Sequence, residues 1–87
     1  MEIIYLQQAL DDLSYWKKSG NRTIQNKISK LIKSIEETPH AGLGKPEALK
    51  YHHSGKWSRR ITKADRLIYE IENNKAFIYS LKGHYDK

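Results

Sequence analysis

The sequence contains no cysteine, which excludes disulfide bonds, zinc sites built from thiolates and catalysis by a thiol. It has only two prolines and five glycines, and no stretch rich in Gly, Pro or Ser predicts a linker between domains. No apolar run approaches the roughly 18 residues needed to span a bilayer, and the first residues lack the basic segment of a signal peptide. We therefore expect residues 1–87 to form one cytoplasmic domain that does not contact a membrane.

Acidic residues are scarce between Lys45 and Arg66, where two of them face seven basic residues. The whole chain carries a formal net charge of +6, so most of the excess positive charge lies in this segment. A concentrated cationic segment predicts a polyanionic partner: nucleic acid first, then an acidic protein, then an anionic membrane. The alternative is a basic face that is simply solvated.

Hydrophobic periodicity predicts a strand and two helices in the first half of the chain. The short apolar run at residues 2–6 predicts the strand. Four apolar residues at helical spacing then predict a first helix over residues 7–18: Ala9, Leu10, Leu13 and Trp16. A second stripe predicts a helix that ends near Glu37, before a Thr-Pro pair: Ile24, Ile28, Leu31, Ile32 and Ile35.

The second half of the chain predicts strands joined by tight turns. A loop punctuated by glycine and proline precedes four strand-like segments, at residues 48–52, 57–62, 66–72 and 76–82. The pair Asn73-Asn74 suits positive φ and predicts a hairpin between the last two strands. The order β-α-α-β-β-β-β predicts an α+β fold, with the two N-terminal helices packed on one face of a largely antiparallel sheet.

Alternation along the last two strands separates a core face from an outer face. The odd-numbered residues are predicted to lie beneath the helices: Leu67, Tyr69, Ile71, Phe77, Tyr79 and Leu81. Arg66 then lies on the opposite, polar face of its strand, and His84 joins that face if the alternation continues past Gly83. The two strands are neighbours, so we expect a histidine beside an arginine on an open cationic surface.

Several kinds of site are excluded by the absence of their motifs. No G-x-S-x-G elbow is present for Ser-His-Asp catalysis. His40, His52 and His53 lack acidic or cysteine partners at metal-ligand spacing, and adjacent strand residues point to opposite faces. The loop at residues 42–45 lacks the spacing of a phosphate-binding P-loop, and no helix is predicted to follow it.

The remaining candidates are Glu47 in the loop, the cluster of lysines and arginines, His84 and Tyr85. RNA cleavage by internal transesterification needs residues of these types and requires neither a metal nor a cofactor. A base removes the proton from the 2′-OH, cations stabilise the charge on the phosphorus centre, and an acid protonates the departing 5′-oxygen. DNA lacks the nucleophile, so the prediction is specific to RNA.

Four motifs carry a resemblance that extends over nearly the whole chain: G-K-P-E-A-L-K, S-G-K-W-S-R-R-I-T, D-R-L-I-Y-E-I and the H-Y pair near the end. The first helix adds the pattern D-D-L-x-Y-W. Together they resemble the Txe/YoeB family, which comprises toxins of bacterial type II toxin–antitoxin systems. The resemblance implies a RelE-like toxin fold over residues 1–87. It also implies a ribosome-dependent mRNA interferase that cuts translated mRNA in the ribosomal A site and so inhibits translation.

The resemblance also implies roles for individual residues. Glu47 matches the general base, His84 the general acid, Arg66 the arginine that stabilises the pentavalent phosphate, and Tyr85 the aromatic residue that orients the mRNA. Four further residues match cationic positions that bind RNA: Lys50 and Arg60 in the pocket, and Lys45 and Arg59 on the phosphate backbone or ribosomal RNA. The implied products are a 2′,3′-cyclic phosphate and a 5′-hydroxyl.

The implied partners are the 70S ribosome with its mRNA and an antitoxin similar to YefM or Axe, whose C-terminal segment covers the cationic face. A homodimer is expected through the first helix, with Tyr15 and Trp16 near its surface; plain core packing is the alternative for these two residues. Two other functions stay open. One is a toxin of the same fold that binds a protein such as gyrase, and the other is a basic RNA- or DNA-binding module without catalysis.

Overall fold

The computed structural model describes residues 1–84 and has one five-stranded sheet with two helices. The elements follow in the order β1 (Glu2–Tyr5), α1 (Gln7–Ser19), α2 (Arg22–Glu37), β2 (Glu47–Ala48), β3 (Trp57–Arg60), β4 (Arg66–Glu72) and β5 (Lys75–Ser80). The strand order across the sheet is β1-β5-β4-β3-β2. Only the β1–β5 pairing is parallel among these, so the predicted α+β fold with a largely antiparallel sheet is confirmed.

The turn between the helices ends one helix and starts the next. Gly20 adopts the left-handed conformation, with a φ of 72°, and its N–H closes α1 on the carbonyl of Lys17. The side chain of Asn21 caps α2 by accepting a hydrogen bond of 3.1 Å from the N–H of Ile24. All five residues of the apolar stripe predicted for α2 are buried. Within residues 1–84, no helix is long and apolar enough to cross a membrane.

The core lies between the helices and one face of the sheet. Leu67 and Tyr69 on β4 are fully buried there, together with residues of both helices. Ile71 packs against the same cluster, so the predicted core face of β4 is confirmed. We call the side of the sheet that faces away from the helices the outer face.

The predicted facing of β5 is only partly correct because the ladder contains a bulge. Tyr69 pairs with Ile78, whereas the adjacent Ile68 pairs with Ser80. The extra residue reverses the alternation, so Ala76 and Ile78 join the core in place of Phe77 and Tyr79. Beyond the bulge the original parity returns, and Leu81 is buried as predicted.

The strand predicted at residues 48–52 is much shorter than expected. It comprises only Glu47–Ala48, and a 3₁₀ turn at Tyr51–His53 follows. Tyr51 has a φ of 58°, a left-handed conformation that cannot continue a strand. The strands predicted at residues 57–62 and 76–82 also end early, at Arg60 and Ser80.

Gly44→Ala is expected to destabilise the fold by about 2–4 kcal/mol. A residue with a Cβ atom loses roughly 1–2 kcal/mol in the left-handed conformation, and crowding of that atom against its neighbours adds a similar amount. Gly44 has a φ of 86°, and an added Cβ would lie 2.6 Å from Cδ2 of Leu31. Urea denaturation followed by circular dichroism measures the loss. Gly20→Ala is the matched control, because its φ is also positive while no described atom lies within 4 Å. Equal losses for the two variants would contradict the crowding argument.

Candidate active site

The sheet register places Glu47 on the same face as two arginines. Glu47 pairs with Ser58 on β3, which pairs in turn with Ile68 on β4. Arg60 and Arg66 form the next outward-facing pair of the β3–β4 ladder, because residues directly opposite each other share a face. Strand spacing and rise put the backbones of Glu47 and Arg66 about 12 Å apart, a gap that long side chains and one phosphate can fill.

The arginine pair is electrostatically unfavourable without an anion. Arg60 and Arg66 lie directly opposite each other on neighbouring strands, where like charges destabilise a sheet. The Nε of Arg66 is buried and has no hydrogen-bond partner among residues 1–84. A buried donor without an acceptor is costly, and a phosphate oxygen can satisfy it while also relieving the repulsion.

The chain after β5 brings His84 to the other side of this pair. The N–H of Gly83 donates to Oδ1 of Asp65 at 2.8 Å, and the Gly83 carbonyl accepts from the N–H of Arg66 at 2.9 Å. His84 follows directly and is exposed. Glu47 therefore lies on the β2 side of the arginine pair, and His84 follows a residue that is hydrogen-bonded to the backbone of Arg66.

The other predicted site residues have different positions. Lys45 and Lys50 are exposed and precede and follow Glu47 in the chain, so both are available to an anionic ligand. Tyr85, predicted to orient the mRNA, lies outside the described residues.

Arg59 does not have the predicted position, and its assignment to RNA contact is corrected. Its side chain is fully buried, at 0% exposure. The guanidinium donates to Ser34 Oγ at 2.7 Å and to Tyr69 Oη at 3.1 Å. It also donates to the carbonyls of four loop residues: Thr38, Pro39, Ala41 and Leu43. Arg59 therefore fixes the loop that leads to Glu47 instead of binding a phosphate.

The negative end of α2 and a buried tyrosine surround this cation. Thr38 is the C-cap of α2, so its carbonyl belongs to the end of the helix where the dipole favours positive charge. The hydroxyl of Tyr69 accepts from Arg59 and donates to the carbonyl of Pro39 at 2.7 Å. Burial raises the pKa of Tyr69, while Arg59 acts in the opposite direction. The result is a complete hydrogen-bond network beneath the loop.

A second group of charged side chains surrounds Tyr79 on β5. Tyr79 donates a hydrogen bond of 2.8 Å to Oε1 of Glu70, and Lys56 Nζ lies 4.2 Å from the centre of the Tyr79 ring. The hydrogen bond to Glu70, with burial and the nearby carboxylates, raises the pKa of Tyr79. Two carboxylates, Glu70 and Glu72, thus lie near Tyr79, whereas Arg60 and Arg66 lie directly opposite each other on β3 and β4.

The histidines considered as metal ligands lie against other aromatic rings at tilted angles. His40 lies 4.6 Å from Trp57 between ring centres, and His52 lies 4.2 Å from His53. In the described part of the chain, no three residues of the types His, Cys, Asp and Glu gather where they could hold a metal ion.

Sequence reasoning missed two residues of α1 that contact the chain next to the site. Asp12 is buried and accepts a hydrogen bond of 2.8 Å from the N–H of Leu81. Trp16 donates to the carbonyl of the same residue, also at 2.8 Å. Trp16 is only 8% exposed, so its predicted place near the surface is corrected to core packing, whereas Tyr15 is half exposed. The D-D-L-x-Y-W pattern was the available signal.

The sequence of this chain matches a known family. The family model described as the YoeB-like toxin of bacterial type II toxin–antitoxin systems matches residues 5–85. The chain belongs to the YoeB family of toxins. The match includes Glu47, Arg66 and His84, and it extends to Tyr85.

Individual YoeB relatives match over nearly their full length. Toxin YoeB of Escherichia coli K12 is 41% identical over 85 residues, which covers 98% of this chain and all of the relative. The solved YoeB/ParE toxin from Agrobacterium tumefaciens is 34% identical, with a TM-score of 0.93 and coverage of 98% and 100%. The YoeB dimer from Staphylococcus aureus is 37% identical, with a TM-score of 0.88 and 98% coverage of each chain. The fold is therefore YoeB/RelE-like over the described residues.

Proposed function

We propose that this toxin is a ribosome-dependent endoribonuclease that cuts translated mRNA in the ribosomal A site. The proposal is supported above all by one observation: the register of β2, β3 and β4 sets Glu47 close to the pair Arg60–Arg66, and Gly83, the residue before His84, is hydrogen-bonded to the backbone of Arg66. The 2′-OH of the ribose attacks the adjacent phosphate, the 5′-oxygen leaves, and the products are a 2′,3′-cyclic phosphate and a 5′-hydroxyl. Inhibition of translation follows from the loss of intact mRNA.

Each residue has one task in this proposal. Glu47 takes the proton from the 2′-OH, and His84 donates a proton to the departing 5′-oxygen. Arg66 stabilises the negative charge that builds on the pentavalent phosphorus centre, and its buried Nε supplies a donor that no described residue uses. The nucleophile is the substrate's own hydroxyl, so the reaction needs no metal-bound water.

Three further cations bind the RNA backbone. Arg60 completes the arginine pair, and Lys45 and Lys50 extend the positive surface on either side of Glu47. Their contribution is electrostatic and falls with salt, because binding to phosphates releases counterions. Tyr85 follows His84 in the chain and is assigned to orienting the mRNA on the strength of its match to the family alone.

The proposed partners follow from the same surface and from the relatives. A YoeB–YefM complex has been solved from Staphylococcus aureus. We propose a corresponding antitoxin for this chain, whose C-terminal segment covers the cationic outer face and blocks access of RNA. A homodimer through α1 is proposed by comparison with the Staphylococcus aureus dimer, with the half-exposed Tyr15 in the contact.

Primer extension on a defined mRNA carried by stalled ribosomes tests the activity. We expect cuts within the A-site codon, and end-group analysis should find a 2′,3′-cyclic phosphate and a 5′-hydroxyl. Replacing the 2′-OH before the cut with hydrogen should abolish cleavage, because it removes the nucleophile. A second mRNA with the same change several codons away is the matched control.

The other two functions predict different results in this experiment. A toxin that acts on a protein such as gyrase leaves the mRNA on the ribosomes intact, although it arrests the growth of cells. A non-catalytic RNA-binding module binds ribosomes and protects the mRNA from other nucleases without producing new ends. Either result would overturn the proposed cleavage.

A further inference from the structure

The segment that carries His84 has left the sheet and is held from two sides. β5 ends at Ser80, so the following residues have no ladder partner within that strand. Both backbone groups of Leu81 are bonded to α1: its N–H donates to Asp12, and its carbonyl accepts from Trp16. Gly83 is fixed by the turn before β4, to Asp65 and to the N–H of Arg66. These four hydrogen bonds set the path of the chain immediately before His84.

The attachment to α1 depends on a buried carboxylate, whose desolvation is unfavourable, and this indicates a specific role for Asp12. Asp12 is 5% exposed, and burying a carboxylate requires good hydrogen-bond partners. It has two: the N–H of Leu81 on Oδ2 and the amide of Gln8 on Oδ1, at 2.9 Å. An apolar residue at this position of α1 would pack in the core without that demand. The carboxylate instead provides a charged acceptor for one backbone N–H of the segment.

Trp16 has the complementary role on the other backbone group of Leu81. Its ring is part of the core, and its Nε1–H donates to the carbonyl of Leu81. One residue of the segment thus contacts an acceptor and a donor that are one helical turn apart on α1. The neighbouring Lys82 adds a weaker contact, with Nζ 4.5 Å from the centre of the Tyr15 ring. Together these contacts fix both the position and the rotation of the backbone that leads to His84.

We propose that Asp12 and Trp16 are positioning residues for cleavage, which hold His84 at the scissile phosphate through Leu81. This inference rests on the proposed function, in which His84 is the general acid. They touch neither RNA nor the reacting atoms. A general acid near the end of a chain is effective only if its backbone is fixed, since a displacement of about 1 Å can lower a rate roughly a hundredfold.

The first test measures cleavage of ribosome-bound mRNA under single-turnover conditions. Asp12→Ala and Trp16→Phe should lower the rate at saturating toxin by about 10- to 100-fold, while the half-saturating concentration stays unchanged. Asp12→Asn keeps an acceptor of the same shape for the Leu81 N–H and should recover most of the rate. Asp11→Ala is the matched control, because Asp11 forms the same type of bond, to Gln7 at 2.9 Å, on the exposed side of α1. It should cleave like the wild type.

A second substrate separates positioning of the acid from general damage to the fold. Sulfur in place of the departing 5′-oxygen gives a leaving group that needs no proton. With this substrate the defect of Asp12→Ala, Trp16→Phe and His84→Gln should shrink to about threefold or less, since only the acid step is bypassed. Circular dichroism checks that each variant is folded at the assay temperature. If Asp12→Ala does not fold, Trp16→Phe still tests the proposal, because it keeps an aromatic ring in the core.

The outcomes distinguish this inference from the proposed function. Recovery of all three variants on the sulfur substrate supports positioning. Recovery of His84→Gln alone overturns it, because the α1 variants would then be slow for a reason unrelated to the acid. Failure of His84→Gln to recover overturns the role of His84 as the acid, and the positioning role falls with it.

Discussion

Replacing Arg59 with methionine is expected to lower the free energy of unfolding by roughly 3–5 kcal/mol. The guanidinium is fully buried and donates to six oxygens, so its removal takes a donor from six acceptors in a partly buried site. Each such group costs about 1–3 kcal/mol, and breaking a buried charged network costs roughly 3–5 kcal/mol in total. A domain of this size has about 5–15 kcal/mol of stability, of which the change removes a large part. Urea denaturation followed by circular dichroism measures the loss.

Arg60→Met is the matched control, because it removes the same charge from the next residue of β3. Arg60 is exposed and lies opposite Arg66, so its removal relieves a like-charge contact and should change stability by only about 0.5 kcal/mol. Arg59→Lys should lie between the two, since three donors cannot serve six acceptors. A stable Arg59→Met variant that has lost only RNA binding would contradict the structural role and restore the sequence-based assignment.

The sequence contained the signal for this burial, although it was not used. Trp57 and Arg59 have the same parity on β3, and a tryptophan in a half-buried strand predicts the core face. Their facing is now clear from the pairing of Trp57 with the buried Tyr69. The acceptors could not be predicted in the same way. Most are backbone carbonyls of a loop 16 to 21 residues away in the chain, and no local pattern reports such contacts.

Two other differences between the sequence-based predictions and the structure also arise from contacts between distant parts of the chain. The alternation rule held on β4 and failed on β5 because a bulge between Ile68 and Tyr69 inserts one residue. Such an insertion depends on how two strands fit together and leaves no mark in either strand alone. Asp12 was missed because an aspartate on a helix is normally solvated. Its partner Leu81 is 69 residues away, and only the packed structure brings them together.

For Arg66 and His84, the strand pattern and the family resemblance predicted the same position. Arg66 lies on the outer face as the parity of β4 required, and Glu47 and Arg60 join it through the register of β2 and β3. His84 is placed by the hydrogen bonds of Gly83 next to Asp65 and Arg66. The resemblance supplied the chemical roles, and the topology brings residues 37 positions apart in the chain close to the same arginine pair, where we propose that they act.

Glu47→Gln and His84→Gln are each expected to lower the rate of mRNA cleavage by about 10²–10⁴-fold. These factors are typical for the loss of a general base or a general acid. Both residues are exposed, so stability should change by only about 0.5 kcal/mol, and binding to ribosomes should persist because the cationic residues remain. Single-turnover primer extension measures the rate, and sedimentation with ribosomes measures binding. Glu72→Gln and His52→Gln are matched controls, since they make the same changes at exposed residues away from the arginine pair.

The double variant shows whether the two residues act in one step. If proton removal by Glu47 and proton donation by His84 occur in the same transition state, neither is useful without the other. The double variant should then be barely slower than the slower single variant, as for residues that act as a unit. If the two effects multiply instead, the residues contribute independently and the concerted mechanism is wrong. Unchanged cleavage by His84→Gln would remove the histidine from catalysis altogether, and the segment after β5 would then serve recognition of the RNA.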